Sequence, residues 1–145
     1  MRHAACLPLV ALLWLSSAAA VAGPDMSRQV SAGVQRGAER FDAIYKEGGI
    51  AAASDAVRAC YKSLKRSAAG KLAECAALDI VSASVDQQAV HGLGVPPYAF
   101  FSGTGPEGRI LAGIKKVGLS AKEKATFDRA LEATMASAAA EFMAE

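Results

Sequence analysis

Residues 60–75 read Cys60-Tyr-Lys-Ser-Leu-Lys-Arg-Ser-Ala-Ala-Gly-Lys-Leu-Ala-Glu-Cys75, and this stretch decides the fold. Ser67-Ala68-Ala69-Gly70 is its turn signal. Cys60 lies about two helical turns before that turn, and Cys75 about one and a half turns after it. Two antiparallel helices joined there carry both thiols to similar heights on facing surfaces. The spacing therefore predicts a disulfide between Cys60 and Cys75, stapling adjacent helices. The other uses of a cysteine pair fit poorly. Redox pairs sit as Cys-x-x-Cys at a helix start, and these two are 15 positions apart.

A disulfide requires an oxidising compartment, and the start of the chain supplies the route. Residues 1–22 read as a signal peptide: Arg2 is the positive n-region, Ala4 to Leu15 is apolar without a break, and Ala20-Val21-Ala22 suits signal peptidase. Its alanine-heavy make-up and short n-region fit a bacterial export signal, so the expected location is periplasmic or secreted. Cleavage after Ala22 removes Arg2, Trp14, His3 and Cys6, and leaves residues 23–145 as a single helical domain with 15 basic and 14 acidic residues. No stable membrane span is expected after cleavage. The near balance of charge leaves no electrostatic footprint for nucleic acid.

Outward from the staple, the periodicity of apolar residues predicts helices throughout. Val30, Val34, Phe41, Ile44 and Tyr45 mark a helix over 27–46, which Gly48-Gly49 ends. Gly33 and Gly37 are spaced for close approach of a neighbouring helix. Ile50, Ala53, Val57, Cys60, Tyr61 and Leu64 mark a second helix over 50–66, with Lys62, Lys65 and Arg66 read as solvated charges at its C-terminal end. Leu72, Cys75, Ala76, Leu78, Val81 and Val85 mark a third, from Gly70 or Lys71 to Val90. Asp79 falls within that apolar run and is expected at its wet edge; buried, it would need Tyr61 or a lysine as partner. A short helix is expected over 109–117. A capping box, Ser120-Ala121-Lys122-Glu123, opens the last helix, whose apolar face is Phe127, Leu131, Met135, Ala138 and Phe142. The fold class is all-α: a small bundle of four to five helices with one interhelical disulfide and an aromatic, Pro/Gly-rich loop.

That loop, 95–108, holds Pro96-Pro97 and then Tyr98, Phe100 and Phe101, three of the eight aromatic rings beyond residue 22. It is expected either to plug its rings into an alanine-rich core or to present them to a partner. Tyr98, Phe100, Phe101 and nearby Arg109 are the candidate partner-binding residues, because aromatics and arginine anchor interfaces.

Catalytic chemistry has little to work with. His91 is the one histidine beyond residue 22, and a helix C-terminus accounts for it. No G-x-S-x-G, C-x-x-C-H, Walker or Rossmann motif occurs. A zinc site wants about four ligands, and two cysteines and one histidine do not supply them. No catalytic, cofactor-binding or metal residue is assigned. The sequence points to an exported, non-catalytic helical protein of the cell envelope (an adaptor, inhibitor or immunity-type binding protein) whose partner is another envelope protein. The alternative is a carrier of a small apolar ligand held between helices. An enzyme is the weakest of the three.

Overall fold

The computed structural model describes residues 24–143, and the expected signal peptide lies outside them. The described residues form four helices and no strands: α1 (Pro24–Lys62), α2 (Ala69–Leu93), α3 (Gly105–Val117) and α4 (Ala121–Met143). None of the described helices is long and apolar enough to cross a membrane.

α1 is broken where the sequence places its glycine pair. Gly49 has φ 63° and ψ −155°, a conformation that a side chain strongly disfavours. The two arms then run along α2 in opposite senses. In the first arm a Cβ built on Gly33 would lie 2.2 Å from the Gly70 carbonyl oxygen, and one on Gly37 would lie 2.5 Å from that of Glu74. Position rises with position, so this arm is parallel to α2. In the second arm Cys60 is bonded to Cys75, with the Cα atoms 5.5 Å apart, while Val57 packs with Leu78. Position falls as position rises, which makes the stapled hairpin antiparallel.

α2 is the central helix, packed against the other three. Leu72 to Asp79 are all buried, more than two full turns without a wet face. Alanine makes this burial feasible, because Ala73 and Ala77 let Gly33 and Gly37 approach to backbone contact. Gly37→Ala is therefore expected to destabilise the fold by about 1–3 kcal/mol through overpacking. Chemical denaturation checks this; an unchanged midpoint would contradict the close approach.

The main core gathers Val30 and Val34 from α1, Leu72 and Ala76 from α2, Ile114 and Val117 from α3, and Phe127 and Leu131 from α4 around the disulfide. Met135 packs against it, while the side chains of Ala138 and Phe142 fall outside those described. A second, smaller cluster joins Val57, Leu78 and Phe101. The capping box forms as read: the Ser120 amide donates to Glu123 Oε2 at 2.8 Å, and the Glu123 amide to Ser120 Oγ at 3.3 Å. The Ser120 hydroxyl, which donates to Glu123 Oε2 at 2.7 Å, and next the Ser120 amide hold the Glu123 carboxyl below its ordinary range.

Several expectations change. Asp79 is fully buried, not at a wet edge, and its partner is Arg109 rather than a lysine or Tyr61. Val81 and Val85 are half-buried, while Ser82 and Asp86 take the inward positions. α3 begins at Gly105 instead of 109, with Pro106 in its first turn, where a missing amide costs nothing.

Candidate functional site

The aromatic loop connects α2 to α3, and α2 holds it from beneath through two aspartates one helical face apart. Asp79, Ser82 and Asp86 are spaced i, i+3 and i+7, so they form a polar stripe on one side of α2. Ser82 satisfies itself by donating to the Leu78 carbonyl at 2.6 Å. The two acids reach outward to the loop and to α3.

Pro96 and Pro97 have no amide hydrogen, so Tyr98 carries the first donor after them. Its amide donates to both oxygens of Asp86, at 3.2 and 3.1 Å. A turn follows at once: the Phe101 amide donates to the Tyr98 carbonyl at 2.9 Å. Farther along, Arg109 in the first turns of α3 makes a two-pronged contact with Asp79, Nε to Oδ2 at 2.8 Å and Nη2 to Oδ1 at 2.6 Å. Its third nitrogen, Nη1, donates to the Phe100 carbonyl at 2.9 Å. One guanidinium thereby ties α2, the loop and α3 together. The planar fork of arginine matches a carboxylate in this way, and lysine could not replace it.

The rings turn inward in graded fashion. Phe101 is 6% exposed and packs on Val57 and Leu78. Phe100 meets Phe101 edge to face, with centroids 5.0 Å apart. It also lies under cations: the Arg109 guanidinium is 3.9 Å from its centroid and that of Arg58 is 4.2 Å away. Tyr98 is half-buried, 6.1 Å from Phe101. Of the four candidate contact residues, all are thus brought together. Arg109, however, is committed within the fold, because it balances a buried carboxylate.

Tyr61 stands beside this network. Its hydroxyl is buried and makes no hydrogen bond within normal geometry, although the Asp79 carboxylate is close enough to act on it. Burial, and next the negative charge of Asp79, push its ionisation far above the ordinary phenol range. It stays a neutral phenol that lines the core.

An open groove of about 480 Å³ runs between the C-terminal half of α2 and the loop, lined among others by Asp86, Val90, His91, Pro97, Phe101 and Gly103. The chain beside it is unusually apolar for a surface. Leu93 is 78% exposed and Val95 42% exposed, and Pro96 and Pro97 are exposed with them. Gly94 turns the chain between these residues and closes α2, its backbone N–H donating a hydrogen bond to the Val90 carbonyl.

A third buried carboxylate in the bundle serves packing. Glu74 accepts from Lys71, Arg36 and Arg40 where the first arm of α1 crosses α2. Burial alone would raise its pKa; the three cations outweigh burial and hold it below the usual range. Among the described residues no group of three or more His, Cys, Asp or Glu is placed to hold a metal ion.

The sequence pointed to the loop but not to what holds it. The signal was the polar stripe 79, 82, 86 inside an otherwise apolar helix, which marks a face that must meet polar partners. No family model, no curated protein and no solved structure matches the chain.

Proposed function

We propose that this chain is an exported protein of the cell envelope that works by binding an apolar segment of another envelope protein, without catalysing a reaction. The observation that carries this reading is the exposed apolar rim, Leu93, Val95, Pro96 and Pro97, beside the open groove. A leucine left 78% exposed at a fixed glycine turn is a costly surface unless something covers it. The loop behind it is held by two buried carboxylates, so the rim is presented in one arrangement and little order has to be gained on binding. The candidate contact surface accordingly shifts from the rings of Tyr98, Phe100 and Phe101 to the rim they support.

The chemistry-bearing side chains support a binding role. Glu74, Asp79 and Asp86 are each occupied by partners inside the fold, and Cys60 and Cys75 are bonded to each other. Against the carrier reading stands the shape of the groove, which opens to solvent rather than enclosing a ligand as small-molecule sites do.

The test is crosslinking in the native host with wild-type protein and a Leu93→Ser, Val95→Ser variant. Both changes lie on the surface, so the melting temperature is expected to hold within a degree or so of wild type. The expected result is a crosslinked protein that is captured by wild type and lost, at least tenfold, in the variant. Equal capture by both would overturn the rim as the contact surface.

A further inference from the structure

The near balance of charge along the chain conceals a gathering of cations in space. Lys62, Lys65 and Arg66 lie where α1 ends and the chain turns toward α2, and Lys115 and Lys116 end α3. Folding brings the two segments to one place: the Ser67 amide donates to the Val117 carbonyl at 2.9 Å, and Lys116 Nζ donates to the carbonyls of Tyr61 at 3.0 Å and Lys62 at 2.8 Å. All five cations are exposed. None of them forms an ion pair among the described residues, whereas Asp42, Asp55, Glu74, Asp79 and Asp128 all pair with cations elsewhere. Five of the 15 basic residues beyond residue 22 are gathered here.

Lys116 caps the last carbonyls of α1. The other four make no ion pair among the described residues; Lys62 and Lys115 lie in the last turns of α1 and α3, where the helix dipole favours a cation, and Lys65 and Arg66 lie in the turn beyond α1. We propose that this basic end docks on an anionic lipid surface. Four of the five cations are lysines, compact charges suited to a diffuse negative plane, where planar two-pronged recognition of a phosphate or carboxylate would favour arginine. Leu111 is the second observation. It is 42% exposed and lies one turn before Lys115 on the outer side of α3, an apolar side chain at the height of the headgroups when the lysines meet them. The surface is separate from the apolar rim: Pro97 of the rim lines the groove together with Pro106 in the first turn of α3, whereas Lys115 and Lys116 end that helix. A protein held on a membrane by one end would present the rim from the other.

The experiment is co-sedimentation of the oxidised protein with phosphatidylcholine vesicles, with and without phosphatidylglycerol. Binding is expected only with phosphatidylglycerol, to be lost at high salt, and to weaken roughly ten- to a hundredfold in the Lys62→Gln, Lys65→Gln, Lys115→Gln variant. Thermal unfolding confirms that the variant is folded, and an Arg66→Gln, Lys115→Gln variant serves should it not be. Any of three results overturns the proposal: no sedimentation with phosphatidylglycerol vesicles, equal sedimentation with neutral ones, or undiminished binding by the folded variants. Tighter binding to polyglutamate than to vesicles would overturn it too, in favour of an acidic protein.

Discussion

Arg109→Ala is expected to destabilise the protein by about 3–5 kcal/mol, the cost of stripping a buried carboxylate of the charged partner that balances it. Asp79 is fully buried, and both of its oxygens are occupied by the Arg109 side chain. The same substitution frees the Phe100 carbonyl and removes the cation 3.9 Å from the Phe100 ring. The loop and α3 should loosen together. A double replacement, Asp79→Leu with Arg109→Met, removes both charges and is expected to recover most of the loss, since apolar side chains of similar volume often replace a buried pair at little cost. Urea unfolding followed by circular dichroism measures both variants. A loss under about 1 kcal/mol for the single variant would place Arg109 among ordinary surface ion pairs, contrary to its geometry.

Removing the disulfide is the second large effect. Cys60 and Cys75 close a loop with a separation of 15, and the chain-entropy model assigns such a bridge about 3 kcal/mol. For a domain of this size that corresponds to a fall of roughly 10 °C in melting temperature. Both cysteines sit in the main core, at 2% and 0% exposure, so the Cys60→Ala, Cys75→Ala variant also loses packing there. Calorimetry of the oxidised protein and of this variant tests the effect. Coincident melting curves would rule out a stabilising staple.

The parts of this fold that could be read from the sequence are those decided within a few residues of each other. The staple follows from a turn signal and two thiols at matched distances. Gly48-Gly49 marks the break because only glycine takes the backbone found at Gly49. The Ser120–Glu123 box spans one turn. The close helix contact at Gly33 and Gly37 also follows, since two missing side chains one turn apart leave a groove for a neighbour.

What escaped the sequence depends on burial and on long-range pairing. Residues 72–79 of α2 are buried on all sides, so the apolar periodicity there does not separate an inner face from an edge, and the wet-edge expectation for Asp79 fails for that reason. Its partner lies 30 residues downstream on another helix. The basic end is hidden in the same way, because Lys62–Arg66 and Lys115–Lys116 meet only through tertiary hydrogen bonds. The aromatic loop was visible by composition, but whether its rings face in or out was settled by Asp86 and Arg109.

The account turns on the loop being a fixed platform rather than a free surface segment. Hydrogen exchange at the Tyr98 amide measures this directly, because that amide follows two prolines and has no helix to protect it other than through Asp86. Slow exchange in the wild type, accelerated at least a hundredfold by Asp86→Ala while α2 amides near the disulfide stay protected, is the predicted result. A Tyr98 amide that exchanges in the native protein as fast as in an unfolded chain would contradict it.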